Sequence, residues 1–319
     1  MHNMETKISV AMATYNGRKF LKQQLDSVAA QSRRVDELAV CDDGSADGTV
    51  DILKEFAAAA SFPVKIAVNE RNLGSTKNFE KAVSMCGGDI IFLCDQDDVW
   101  LPDKTRIIES VFSANPNCGM VFTDGVVVDE ANCPLSRLWA DFGFDKKRQR
   151  AVKDGKGFGT LVRSNVVTGA TAAITRSFFE EARPFPAEAV HDYWMAMVAV
   201  LKGKLFFNDA ATINYRKHAS QQIGTPSRAF LQKLKRIPDF DKDARLRRVL
   251  REELDGRFHL TDRQNKLFAD CVEFHLSRDN LTRGGVERIP KIAVNLFSGN
   301  YHKFSAGFLS AGKDLLMRR

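Results

Sequence analysis

With 319 residues, 44% of them hydrophobic and 27% charged, the chain is long enough for one large globular domain, or a domain plus an appendage. No apolar run approaches the roughly 18 to 20 residues that span a bilayer, and the opening "MHNMETKISV" lacks the basic-then-apolar pattern of a secretory leader, so a cytoplasmic protein is expected. Cys41, Cys86, Cys94, Cys118, Cys133 and Cys271 form no CxxC pair, which sets aside a disulfide framework and a zinc site, and the net charge of +7 sits in the tail, where residues 226–319 carry 20 Lys and Arg against 12 Asp and Glu.

The first half alternates strand-like and helix-like runs. "KISVAMATY" is apolar and rich in small and β-branched residues, and "RKFLKQQLDSVAAQ" follows with apolar residues three and four apart. "ELAVCDD", "PVKIAVN" and "DIIFLCD" read as further strands, separated by the helical "TVDILKEFAAAA" and "NFEKAVSMC". This rhythm predicts a doubly wound α/β sheet, whose ligands bind beyond the carboxyl ends of the strands. Tyr15 and Asn16 follow the first strand, Asp42 and Asp43 the second, Asn69 and Asn72 the third, and Asp95 to Asp98 the fourth. Neither GxGxxG nor GxxxxGK[ST] occurs, which sets aside dinucleotide oxidoreductases and P-loop NTPases. In "CDDGSADGT" a turn leads into the next helix, with Asp47 or Thr49 as its cap. The two adjacent acids ahead of that turn offer acceptors for a nucleobase N–H or a ribose hydroxyl.

"IIFLCDQDDVWLPDK" drives four apolar residues straight into Asp95, Asp97 and Asp98. Carboxylates this close repel, and burying one unpaired costs roughly several kcal/mol. A Mg2+ or Mn2+ ion among them would offset that cost while keeping positions open for water and phosphates; a solvated loop capping the next helix is the other reading. Trp100 is expected to pack beneath the loop. "VVTGATAAITR" reads as a strand in which Gly169 permits close approach, and Asp192 precedes the apolar helix "YWMAMVAVL" either as its N-cap or as a catalytic carboxylate. The tail looks helical in "FLQKLKRI", "ARLRRVLREELDGRF" and "DRQNKLFADCVEFHL". Its last part, "IAVNLFSGNYHKFSAGFLSAGKDLLMRR", mixes Phe, Leu and Tyr with Lys and Arg, and suits either an anionic membrane surface or a helical appendage with a solvated basic face. No nucleic-acid-binding motif accompanies the charge.

Taken in order, "SVAMATYNGRKFLKQQLDSVAAQ", "VCDDGSADGT", "NLGSTKNF", "FLCDQDDVWLPDK", "VHDYWMAMVAVLKGKLFF" and "INYRKHASQQIG" resemble the family 2 glycosyltransferases of GT-A fold, in their bacterial rhamnosyltransferase-like branch. The resemblance implies a GT-A domain over residues 1–225, with a nucleotide-sugar half to about 130 and an acceptor half from about 131, and a basic helical region over 226–319. It further implies inverting transfer of a single sugar, rhamnose favoured, from a nucleoside-diphosphate sugar to a hydroxyl of a cell-envelope or lipid-linked glycan, with Mg2+ or Mn2+ as cofactor. Tyr15, Asp43, Asn78 and Asp95 would then bind the nucleotide, Asp97, Asp95 and His218 the metal, and Arg216 and His218 the diphosphate. Asp192 would be the catalytic base, standing apart from the metal to take the acceptor's proton. The polar stretch between Ala131 and Asn165 would be a mobile loop over the acceptor site, and the basic tail a peripheral contact at the inner face of the plasma membrane. Ala13 stands where some relatives carry a hydroxyl near the nucleobase, leaving base choice open, and the lack of a QxxRW-type block favours single-sugar transfer over processive synthesis. Two other readings stay open. "DQDDV" fits DxDx[TV], a phosphatase element that belongs on a first strand, and a catalytically inactive nucleotide-sugar-binding scaffold would keep the same fold.

Overall fold

The computed structural model describes residues 6–218, 239–281 and 288–316; the "FLQKLKRI" segment, the "ASQQIG" end of the last motif and the 225/226 boundary lie outside these. The chain divides into two compact units, residues 1–155 with 166–225 and residues 156–165 with 226–319. Residues 156–165, read from sequence as part of the first domain, thus pack with the tail. No helix among the described residues is long and apolar enough to cross a membrane.

In the first unit, β1 (Ile8–Thr14), β2 (Glu37–Asp42), β3 (Val64–Val68) and β4 (Ile90–Asp95) run parallel in the order β3-β2-β1-β4. They are connected by α1 (Arg18–Ala29), α2 (Thr49–Ala59) and α3 (Ser75–Met85). Past β4 the sheet continues through β8 (Ala172–Thr175), β6 (Met120–Val128), β9 (Leu205–Arg216) and β5 (Val99–Trp100), while β7 (Pro134–Arg137) pairs with β6. Because β8 runs antiparallel to both β4 and β6, the sheet is mixed. Ile8, Val10, Ala11 and Met12 have no exposed surface, as expected of a central strand covered on both faces. Register then decides where chemistry gathers. Thr14 lies opposite Asp42 and Ala13 opposite Asp95, so β1, β2 and β4 finish at one level and their loops stand side by side. Pairing of Val99 with Asn214 and Trp100 with Ile213 returns the end of β9 to the loop after β4.

Four further helices complete this unit: α4 (Lys104–Ala114), α5 (Leu138–Phe142), α6 (Lys146–Lys153) and α8 (Arg176–Ala182), with α9 (His191–Leu201) threading its interior. From Tyr193 to Ala199 every residue of α9 is buried, the mark of a core helix. Gly169–Thr171 form a short 3-10 turn before β8, so the strand read in "VVTGATAAITR" starts later than its sequence suggests. The expected loop at 131–165 instead contains β7, α5, α6 and α7 (Phe158–Arg163). Its polar composition conceals two anchors: Trp139 and Phe144 join Phe122 and Phe207 in an aromatic cluster with ring centroids 4.8 to 5.9 Å apart. Trp139 Nε1 also donates to the Thr123 carbonyl at 2.9 Å.

The second unit is built on α10 (Phe240–Phe258) and α11 (Asp262–Leu281), with α12 (Arg288–Phe297), α13 (Asn300–Phe304) and α14 (Phe308–Leu316) following. The buried Arg247 of α10 donates to the Val162 and Arg163 carbonyls at 3.0 and 2.7 Å, satisfying the C-terminal end of α7. Arg278 grips Asp314 with two bonds of 2.6 and 2.8 Å, and the Tyr301 hydroxyl donates to the same carboxylate at 2.6 Å.

Candidate active site

Asp95 closes β4, and Asp97 and Asp98 follow before β5 begins. Asp98 is buried; its Oδ1 accepts the Arg216 N–H at 2.9 Å, while Oδ2 is sealed from solvent with no partner. Burial, then the charges of Asp97 and Asp192, raise the Asp95 carboxyl to about 7. Burial with Asp97 and Asp95 likewise holds Asp98 well above the usual carboxylate range. A buried cation partly offsets this acidity. Lys104, fully buried at the start of α4, donates to the Ala170 carbonyl, and its Nζ lies 4.1 Å from the centroid of Trp100, itself packed beneath the loop. Burial lowers Lys104 to about 8 against the opposing pull of Cys94, Asp98 and Asp95. Lys104 faces Asp95 and Asp98, while Asp97 has the His218 imidazole at 2.7 Å, and the Asp95 and Asp98 carboxyls remain raised despite the lysine. Carboxylate oxygens, an orphaned Asp98 Oδ2 and an imidazole are hard or borderline donors that fit Mg2+ or Mn2+. Among the described residues no three such ligands are already gathered, so an ion here would take further positions from water and a phosphate ligand.

The imidazole comes from β9, whose end places His218 Nε2 2.7 Å from Asp97 Oδ2. Phe20 of α1 supports both neighbours, with its ring 5.0 Å from that of His218 and 4.6 Å from Arg216 Cζ. Arg216 is buried, and its guanidinium donates to the Asp97 carbonyl at 2.8 Å, the Glu130 carbonyl at 3.0 Å and Gln23 Oε1 at 2.6 Å. Its fork is therefore turned toward the loop that carries Asp97, whereas the sequence placed it at a diphosphate.

Asp192 occupies the first turn of α9 behind Val190, which is the N-cap, and its Oδ2 accepts the Gly169 N–H at 2.9 Å. Gly169 is required by proximity: a Cβ there would meet His191 Nε2 at 2.7 Å. His191 is buried and stacked on Phe79 at 4.0 Å, and neither ring nitrogen has a partner. Burial lowers its pKa to about 3, keeping it neutral.

Across the mouth, Gln96 clasps the backbone of Tyr15 twice, accepting its N–H at 2.8 Å and donating to its carbonyl at 3.0 Å. The Tyr15 side chain is left 43% exposed. The N-cap of α2 is Gly48, in left-handed backbone, where Asp47 or Thr49 was expected; Asp47 instead accepts from Thr49 N and from Arg18 N, tying the first turns of α2 and α1. Asp42 is consumed by its own turn, accepting from Gly44 N, Ser45 N and the hydroxyls of Thr14 and Ser45. Asp43 and Asn78 are both buried, and each donates to the carbonyl of Thr14, the residue before Tyr15, Asp43 through its backbone N–H. Asp43 accepts from Leu73 N, Gly74 N and Asn69 Nδ2 at 2.7 to 2.9 Å, and Asn78 donates to the Cys41 carbonyl at 2.8 Å while accepting from Asn69 at 2.9 Å.

Residues 9–181 match the family described as Glycosyl transferase family 2. The chain belongs to that family. The dTDP-rhamnosyl transferase RfbG of Shigella flexneri is 26% identical over 71% of this chain and 78% of its own. The chain spans less of other curated relatives, 49% and 35% of the lengths of two of them. Among solved structures, S. aureus TarS 1-349 in complex with UDP-GlcNAc gives a TM-score of 0.59 at 16% identity, covering 91% of this chain and 80% of that one. Mannosyltransferase PcManGT from Pyrobaculum calidifontis, in complex with GDP-Man and Mn2+, gives 0.57 at 16% identity over 98% and 81%. These likenesses show the GT-A fold that the sequence motifs implied.

Within this family 2 fold, three residues at the site carry roles that motif reading leaves out. Gln96 and Lys104 lie inside "FLCDQDDVWLPDK", and His191 inside "VHDYW". The only signal for Lys104 is a lysine closing a stretch that holds four acids and one cation. Gln96 and His191 act through a backbone clasp and a ring stack, neither of which leaves a spacing pattern.

Proposed function

We propose that this family 2 member is a metal-dependent inverting glycosyltransferase. Its donor is a nucleoside-diphosphate sugar, with dTDP-rhamnose first among candidates, and its acceptor a hydroxyl of a cell-envelope or lipid-linked glycan at the cytoplasmic face of the membrane. The observation that carries the reading is an acid cluster in which Asp95 and Asp98 stay raised despite Lys104, beside a separate carboxylate, Asp192, near enough to perturb Asp95 and fixed by Gly169.

In this reading Asp97, Asp95 and His218 would hold Mg2+ or Mn2+, which neutralises charge developing on the departing diphosphate. Asp192 accepts the proton of the acceptor hydroxyl as its oxygen bonds to the anomeric carbon. The bond from that carbon to phosphate breaks, the electron pair leaves with the diphosphate, and the configuration inverts. Tyr15 stacks on the base at the mouth, with Asp43 and Asn78 held beside it on the Thr14 carbonyl. Arg216 works by fixing the Asp97 backbone, and His218 by orienting the Asp97 carboxylate toward the diphosphate side.

Likeness to RfbG supports rhamnose, and the ligands named with TarS and PcManGT support a nucleotide sugar and a divalent ion. The phosphatase reading requires its acid pair after a first strand, whereas here it follows β4. Titration calorimetry with nucleoside diphosphates, with and without Mn2+, tests the proposal on wild type, Asp97→Ala and Asp192→Asn. Metal-dependent binding lost in Asp97→Ala, with binding kept but transfer lost in Asp192→Asn, supports it. A folded wild type that binds no nucleotide overturns it.

A further inference from the structure

A surface helix ordinarily buries one apolar stripe and turns polar residues outward. α12 does not. Ile292 and Asn295 point inward, while Ile289, Pro290, Ala293, Val294 and Phe297 share the opposite side at three- and four-residue spacing with no polar side chain among them. Val294 is 67% and Phe297 90% exposed. α14, which packs against α12, repeats the arrangement with Phe308 at 69% and Leu309 at 73% exposed, beside an outward Gly312.

Charge on the same stretch is one-sided. Residues 288–316 contain Arg288, Lys291, Lys303 and Lys313 against a single acid, Asp314. That acid is buried beneath Arg278 and Tyr301, and Lys303 is paired with Asp270 of α11 at 3.1 Å, so beside Val294 this stretch offers solvent the cation of Lys291 and no carboxylate of its own. An apolar groove on a partner protein, or a second copy of this face, would cover the phenyl and leucyl groups but would gain nothing from charge of one sign. An anionic lipid surface accepts both, with the aromatic and aliphatic side chains at the acyl boundary and the Lys291 ammonium among headgroups.

We propose that α12 to α14 dock this protein on an anionic bilayer, with Phe297, Phe308 and Leu309 as the inserting side chains. The inference rests on the reading of a membrane-borne acceptor for its purpose, though not for its geometry.

The test is flotation of the full chain, without donor or acceptor, on vesicles of phosphatidylcholine alone and with about 30% phosphatidylglycerol. Wild type should bind only the anionic vesicles. Joint Phe297→Ser and Phe308→Ser substitution should lower the partition about tenfold or more, and Lys291→Glu about fivefold or more. Because these side chains are exposed, circular dichroism and nucleotide binding should stay unchanged in every variant. The proposal is overturned by a folded wild type that ignores anionic vesicles, by equal binding to both vesicle types, or by a dimer in light scattering that the Phe substitutions disperse. Vesicle binding without nucleotide binding would defeat the glycosyltransferase reading and leave this one standing; the converse would do the opposite.

Discussion

Replacing Asp95 by Asn should change how stability depends on pH in metal-free buffer. Burial and the charges of Asp97 and Asp192 raise its carboxyl from 3.8 to about 7, so the folded protein holds this proton more tightly than the unfolded chain. Such a group stabilises fully below about 4, and the contribution disappears as pH rises through about 7. Between pH 5 and 7 that is about 3 kcal/mol at 1.36 kcal/mol per pH unit, and partial exposure of the carboxyl trims it to about 2 kcal/mol. For a unit of this size the loss corresponds to about 4 to 8 °C in Tm. Two other groups must be kept apart from it. Glu37, whose burial penalty is outweighed by bonds from Lys65 and Ser9, is lowered to about 2 and titrates below the window. His191, lowered to about 3, adds stability as pH rises toward 6.5 and opposes Asp95. Both are shared by the variant, so the difference between the two Tm curves isolates the acid cluster. Wild type should lose about 2 kcal/mol relative to Asp95→Asn from pH 5 to 8, and Mn2+ with a nucleoside diphosphate should restore the loss at pH 8. Superimposable curves in metal-free buffer would refute the placement of an under-neutralised acid cluster here.

Three further outcomes follow from the same geometry. Lys104→Met removes the buried cation facing Asp95 and Asp98 and should cost about 3 kcal/mol in urea unfolding at pH 7, where Lys104 is charged and Asp95 half ionised, and less at pH 5 where the acids are protonated; an unchanged midpoint at pH 7 would contradict it. Gly169→Ala puts a Cβ against His191 and displaces the backbone N–H that holds Asp192, so kcat should fall about tenfold to a hundredfold with donor affinity intact; full activity would refute the role proposed for Asp192 as held by Gly169. Arg216→Lys keeps the charge but loses the fork that holds Asp97, Glu130 and Gln23, and should weaken Mn2+-dependent nucleotide binding about tenfold, whereas wild-type affinity by calorimetry would show that the clamp is dispensable.

The parallel half of the fold was legible because buried strands such as β1, β2 and β4 write themselves as apolar runs ending in polar turns, and β3, a half-exposed edge strand, admits one polar residue into its run. Of the mixed half beyond β4, β8 was legible, as a strand that starts later than read, and β9 was not. β9 owes its position to pairing with β5 and β6, which are remote in sequence, and the stretch from 131 to 165 looked like a loop because its two aromatic anchors are diluted among Lys, Arg and Asp.

Site residues divide along the same line. Asp95, Asp97 and Asp192 stand out in sequence because carboxylates beside apolar runs are costly without a purpose. Arg216 stands out equally, yet its purpose reads differently in the fold. An Arg in the run "YRKH" suggests an anion ligand, and the acceptors it meets are a carbonyl 119 residues away at Asp97, another at Glu130 and an amide oxygen at Gln23. No local spacing encodes a partner that distant, and a planar donor fork bonded through all three of its nitrogens acts as a brace. The Asp97 backbone is therefore held by the Arg216 fork, which is why Arg216→Lys, conservative in charge but without that fork, is the substitution expected to show what the brace contributes.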